Sequence, residues 1–252
     1  MSGQGSEVFI YDDVSALAEA AATRIGILAS EAIEARGAFH LALAGGTTPR
    51  RLYETLARPE FAGAIDWSRV HVFFGDERCV PPDDPESNYG MARASLLDQV
   101  PLPAAHIHRI AAESIERDGA ASDYAACLHE VVSGRDGEVP VLDLVLLGIG
   151  PDGHVASLFP DTAILHETRR LVAPVFVTQK RAWRISITFP VINAAREVIV
   201  LATGDGKAEI LGQILGGQAH DLRYPAEMIA TPPGVRWYVD RDAARELTAP
   251  RQ

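Results

Sequence analysis

Cysteine is scarce here, with Cys79 and Cys127 the only two among 252 residues. Such a pair supports neither a disulfide framework nor a zinc site, and it fits a reducing compartment. No apolar run approaches the roughly 20 residues of a membrane span, and positions 1–8 are polar, without the hydrophobic core of a signal peptide. Basic runs are missing from a chain of net charge −11, which argues against a nucleic-acid partner. An anionic small substrate stays compatible where local Arg and Lys outweigh the global charge. Catalytic signatures are missing too. Without Gly-x-Ser-x-Gly there is no nucleophile elbow, and without Gly-Lys-Ser/Thr there is no P-loop. No repeat, linker or low-complexity tract breaks the chain. The expectation is one cytosolic domain over 1–252 with no membrane association, a monomer or weak homo-oligomer.

Hydrophobic residues make up 47%, enough for a substantial α/β core. The most informative stretch is 141–160, VLDLVLLGIGPDGHVASLFP. Its apolar opening, interrupted only by Asp143, suits a strand buried on both faces of a parallel sheet. Three glycines in six residues follow, then His154 and a segment, 155–159, that reads as a helix start. The letters fit G-x-G-x-x-G. Yet Pro151 interrupts the turn, and 171–177 offers no acid for a ribose, so a dinucleotide reading is disfavoured. Two readings remain: a glycine turn with a bystander histidine, or a catalytic loop. In the second, His154 is a base near neutral pH, Asp152 orients it or the substrate, and Gly150 allows close approach.

Elsewhere strand, loop and helix alternate. Strand 8–11 precedes an alanine-rich helix, capped by Asp12 or Asp13 and ended by Gly37. Strand 39–44 runs into Gly45, Gly46, Thr47, Thr48 and Pro49, with Pro49 suited to a first helical position. That turn is either an ordinary helix start or a phosphate site built from backbone N–H groups and threonine hydroxyls. Strand 69–74 leads to Asp76, Glu77 and Arg78, read as a site element or a solvated charge cluster; Arg78 suits phosphate or an oxyanion. Asn88 reads as the cap of a helix carrying 91–97. His106 and His108 face one side of a short strand, 106–110, but no third ligand lies nearby, so metal is not expected. Segments 119–132 and 134–140 read as helix and loop. Residues 171–177 are extended, and Ile185, Ile187 and Phe189 alternate with polar residues in a strand. Strand 197–202 ends in a glycine turn with Lys207. The last strand is 235–239, with a short helix over 240–247.

Recurring strand–loop–helix units predict a doubly wound, mostly parallel α/β sheet, Rossmann-like, with helices on both faces. Loops at 45–49, 76–78, 148–154 and 204–207 then converge at one sheet edge. Gly46, Thr47, Thr48, Arg184 and Lys207 are expected to hold a phosphate there, with Gly45, Asp76, Glu77 and Gly150 contributing to binding. His154, Asp152 and Arg78 form the expected catalytic set, and the chemistry is water activation on a phosphorylated small molecule.

Five segments carry a family resemblance: LALAGGTTPRRLYETL, VHVFFGDERCVPPDDPESNYGMARASLL, LDLVLLGIGPDGHVASLFP, RISITFPVINAAREVIVLATGDGKAEIL and TPPGVRWYVDRDAA. Together they resemble the 6-phosphogluconolactonases, in the superfamily shared with glucosamine-6-phosphate deaminase. The resemblance implies hydrolysis of 6-phosphoglucono-1,5-lactone, no organic cofactor and a cytosolic setting. One departure stands out. A K-P-P-x-R segment before the Ile-Thr strand is common in such lactonases, and here 179–184 reads QKRAWR. Arg184 keeps its place, while Arg181 or Lys180 could serve on a shifted loop. A deaminase or isomerase of the same scaffold would need a carboxylate base besides the histidine. A non-catalytic sugar-phosphate module is the third reading.

Overall fold

The computed structural model describes residues 6–132, 139–216 and 223–247. In chain order the elements are β1 (Glu7–Tyr11), α1 (Val14–Arg36), β2 (Phe39–Leu43), α2 (Thr47–Leu56), α3 (Pro59–Ala62), β3 (Val70–Phe74), β4 (Asp76–Arg78) and α4 (Asn88–Ala92). There follow α5 (Arg117–Val131), β5 (Leu144–Gly148), β6 (Val172–Val177), β7 (Ala182–Ile187), α6 (Phe189–Ala194), β8 (Glu197–Ala202), α7 (Ala208–Leu215) and β9 (Val235–Asp240).

Six strands form one sheet in the order β1-β9-β8-β5-β2-β3, and every pairing in it is parallel. This is the doubly wound, Rossmann-like α/β fold. Leu144, Val145, Leu146 and Leu147 of β5 are all buried, as a strand covered on both faces requires. Winding runs outward from β2 to β3 on one side and from β5 through β8 to β9 on the other. The strand order therefore reverses between β2 and β5. At such a point the loops leaving the carboxyl ends part and open a crevice.

Local chemistry accounts for the first unit. Asp13 caps α1, accepting from the backbone N–H of Ser15 at 2.8 Å and Ala16 at 2.9 Å. Gly37 ends the helix at φ 81°, where a side chain would be strained. The small buried face of α1, with Ala18, Ala21, Ala22, Ala29 and Ala32, lets it lie close against α2 and the sheet. Helix α2 starts at Thr47, so Pro49 is its third residue rather than its first. It still falls in the opening turn, where no intrahelical donor is lost.

A second sheet, β4-β7-β6, is antiparallel. Asp76–Arg78, expected as a loop, is a strand here, and it joins segments from the extended stretch 171–177 and the strand expected from 185. Only residues 178–181 separate β6 from β7. That is too short for a parallel crossover of a dozen or so residues, so a hairpin is forced. Gly75 joins the two sheets: its N–H donates to Leu43 O of β2 at 2.9 Å, and its carbonyl accepts from Ile187 N of β7 at 2.9 Å. Asp76 to Arg78 are thereby carried over the carboxyl ends of β2 and β3.

Four local expectations change. Residues 155–159 form a tight turn, bridged Val155 to Leu158, with Ala156 at φ 48°, incompatible with a helix start. Residues 241–246 are successive turns, opened by the Asp240 carboxylate, which accepts from Gly204 N at 3.0 Å and Ala243 N at 2.8 Å. Segment 106–110 makes a single bridge, Ile107 to Val72, after a 3₁₀ turn at Ala104–His106. His106 and His108 do share a side, but both lie against His71: the ring centroids of His71 and His106 are 4.0 Å apart, and His71 Nδ1 is 3.1 Å from His108 Nε2. Among the described residues no group of three or more His, Cys, Asp or Glu could hold a metal ion. Finally, Ser87 rather than Asn88 caps α4, with its hydroxyl accepting from Gly90 N at 3.0 Å. Most of the expected loop at 134–140 lies outside the described residues. No described helix is long and apolar enough to cross a membrane.

Candidate active site

At the crevice between the β2 and β5 loops lies a cleft of about 230 Å³. Gly45, Gly46, Thr47, Thr48, Asp76, Arg78, Gly150, His154, Arg184 and Lys207 all line it. These residues span more than 160 positions of sequence, and the winding of the sheet brings them together.

The β5 loop supplies the titratable centre. Gly150 N donates to the His154 carbonyl at 2.9 Å, folding 150–154 into a closed loop. Asp152 does not line the cleft. It reaches His154 from beside it, with Oδ1 2.5 Å from Nδ1. A proton on Nδ1 donated to this carboxylate leaves Nε2 as the ring's acceptor. Burial is the largest single influence on Asp152 and disfavours its charge, but the His154 hydrogen bond and charge, with backbone donors, hold its pKa below the ordinary value. A Cβ on Gly150 would stand 2.0 Å from His154 Nδ1. The imidazole occupies space that only glycine leaves.

The β2 loop supplies backbone donors. Gly46 sits at the N-cap of α2 at φ 108°, and no side chain caps the helix. The amino end of this ten-residue helix thus faces the cleft with its positive dipole end. Thr48 Oγ1 is fixed by Thr203 Oγ1 at 2.6 Å, tying the loop to the end of β8. Lys207 follows that strand. Burial pushes its pKa down, and the Asp152 charge opposes this.

Two arginines form the remaining wall. Arg78 and Arg184 are register partners across β4 and β7. The Nε of each is buried without a hydrogen-bond partner among the described residues. Arg78 Nη1 donates to the Glu86 carbonyl. Arg184 Nη1 is 4.0 Å from Asp76 Oδ2, and burial lowers its pKa against the pull of that carboxylate. Lys180 and Arg181 lie exposed at the hairpin turn, away from the cleft, so Arg184 is the basic residue of 179–184 that the fold delivers.

Glu77 turns away from the cleft. Its carboxylate accepts from the backbone N–H of Arg78, Asn88 and Tyr89 and from Ser87 Oγ, at 2.7–3.0 Å. Burial nonetheless pushes its pKa up. It organises the 78–89 loop, which a sequence offers no means to tell from substrate contact. Asp76 is likewise engaged, accepting from Ser157 Oγ at 2.6 Å and Asn88 Nδ2 at 3.1 Å. Asn88, Ser157 and Ser186 are site-supporting residues that the sequence reading missed. A signal existed for Ser186, a polar residue between Ile185 and Ile187 on a strand whose end is wholly buried. Asn88 lies so close to Gly45 that a Cβ there would be 1.9 Å from its Oδ1.

The chain is similar to known proteins over most of its length. The family model described as glucosamine-6-phosphate isomerases/6-phosphogluconolactonase matches residues 12–237. The chain is 41% identical over 218 residues to the 6-phosphogluconolactonase of Nostoc sp., covering 86% of this chain and 88% of that one. It is 42% identical over 219 residues to the human 6-phosphogluconolactonase, covering 86% and 83%. The solved structure of 6-phosphogluconolactonase from Trypanosoma brucei superposes with a TM-score of 0.87 at 29% identity, covering 98% of this chain and all of that one.

Proposed function

Because the chain belongs to the family of glucosamine-6-phosphate isomerases and 6-phosphogluconolactonases, we propose that it hydrolyses 6-phosphoglucono-1,5-lactone to 6-phosphogluconate with His154 as general base. The observation that carries this is the 2.5 Å Asp152–His154 pair beside a cleft whose other walls are cationic or donor-rich. A lactone carbonyl is already electrophilic, so no covalent nucleophile is needed. The imidazole takes a proton from water as its oxygen bonds to C1. Arg78 balances the oxyanion. When the bond from C1 to the ring oxygen breaks, the imidazolium returns its proton to that oxygen. The carboxylic acid product then ionises. Asp152 keeps the imidazole in the tautomer that this cycle requires.

The 6-phosphate is assigned to the amino end of α2 with Gly46, Thr47 and Thr48, joined by Arg184 and Lys207. A helix amino end favours an anion, and two cations desolvated by their surroundings bind it more strongly than exposed ones. The deaminase reading fares worse. It needs a carboxylate free to move a proton at a sugar carbon, and Asp76 is bound to Ser157 and Asn88 while Asp152 is bound to His154.

Freshly prepared lactone and glucosamine 6-phosphate, offered side by side to the purified protein, test the class. The proposal expects acid release from the lactone above its spontaneous opening and no ammonium from the amino sugar. Ammonium release without lactone hydrolysis would reverse the assignment.

A further inference from the structure

The Asp152 bond alone does not fix the imidazole. A ring tethered at one nitrogen still swings about that bond, and the Asp152 side chain is 38% exposed, so water competes for it. A second contact removes that freedom. The Phe159 ring lies face to face with His154, centroids 3.8 Å apart and planes 20° apart. The same ring carries the Arg184 guanidinium, whose Cζ is 5.9 Å from its centroid. Phe159 is almost wholly buried, so it offers the cleft no surface of its own.

The turn that presents this ring is unusual. Leu158 N donates to Val155 O at 2.9 Å, doubling the chain back so that Phe159 meets His154 five residues before it. Ala156 pays for that turn with a left-handed backbone at φ 48°. Neighbouring strands hold the strained turn in place. Ser157 Oγ donates to Asp76 Oδ2 at 2.6 Å, and Ser157 N donates to Ser186 Oγ at 3.2 Å. Asp76 belongs to β4 and Ser186 to β7, two residues from Arg184. The turn is thus anchored to the sheet that carries the two cleft arginines.

We infer that Phe159 is a positioning residue for the reaction, an aromatic platform that fixes the plane of the His154 imidazole and sets its distance from Arg184. This deepens the reading of His154 as the base and rests on it. A stacked ring restricts rotation about the Asp152 bond. A flexible aliphatic side chain of similar volume fills the space without defining a plane.

The test uses Phe159→Leu and Phe159→Met, read by NMR and by initial rates on the lactone. In the parent protein, ring current from Phe159 should shift the His154 imidazole protons upfield, with His154→Asn identifying those signals. In both variants the shift should vanish, while unchanged His71 and His108 signals report an intact fold. The kcat should fall about 10- to 100-fold, the cost of a misplaced reacting group, and by a larger factor than KM for the lactone rises, because Phe159 also carries Arg184 of the proposed phosphate site. Parental kcat in either folded variant would overturn the positioning role, as would a parent spectrum without the upfield shift. The parent spectrum alone decides the stack should neither variant fold. Parental activity in His154→Asn would instead remove the base assignment underneath, an outcome visible apart from the Phe159 variants.

Discussion

At the residue scale, Gly150 leaves the space that the His154 imidazole fills. Three glycines after a strand read as a turn, and the turn is there. That the Gly150 hydrogen faces the imidazole, where a Cβ would stand 2.0 Å from Nδ1, is legible only in three dimensions. Gly150→Ala should therefore displace His154 and reduce kcat by about 100-fold, the order expected for a shift near 1 Å; parental rates would show that the loop yields freely. His154, Asp152 and Lys207 were all visible as chemistry-bearing residues at strand ends. Lys207→Ala is expected chiefly to raise KM, because the phosphate is bound alike in ground and transition states, and an unchanged KM in initial-rate assays would remove Lys207 from the phosphate site. Arg78→Lys should not restore function, since a point charge replaces a planar fork. Full activity in that variant would argue for a merely solvated charge.

Among the elements, the parallel βα units were legible from apolar runs ending in glycine turns, and their order predicted the crevice. The antiparallel sheet was not foreseen, although the four residues between β6 and β7 already exclude a crossover. Long-range bonds of side chains escape a sequence reading: Ser157 is committed to Asp76, and Asp240 holds Gly204 while also accepting from Ala243 N. Asn88 shows the same thing: a good cap by type, it is spent on Asp76. The contact between α4 and the β2 loop gives a stability prediction. Gly45→Ala would place a Cβ 1.9 Å from Asn88 Oδ1, and overpacking of this kind costs about 1–3 kcal/mol. Urea denaturation should show a lower midpoint with an unchanged slope, and a parental midpoint would mean that Asn88 moves aside at little cost.

Over the whole molecule, the two ends of the sheet differ in chemistry. The carboxyl end gathers Arg78, Arg184 and Lys207 in a chain of net charge −11, so attraction for an anion is local. The amino ends of β2 and β3 gather His40, His71, His106 and His108. Burial, with the neighbouring histidines, pushes the His71 pKa down from 6.5 to about 4. The unfolded chain then binds a proton at His71 between these values that the folded chain refuses. Stability contributed by neutral His71 is present above pH 6.5 and is lost as pH falls towards 4. The Tm should drop over that window, and less steeply in His71→Gln; an identical pH dependence in that variant would assign the acid sensitivity elsewhere. The central claim, that a histidine at the carboxyl end of β5 activates water, is tested most directly by initial rates of lactone hydrolysis in His154→Asn, with spontaneous opening subtracted. Loss of a general base lowers kcat about 10²–10⁴-fold, and KM should stay close to the parental value. Hydrolysis within a factor of about three of the parent, far short of that loss, would contradict the account.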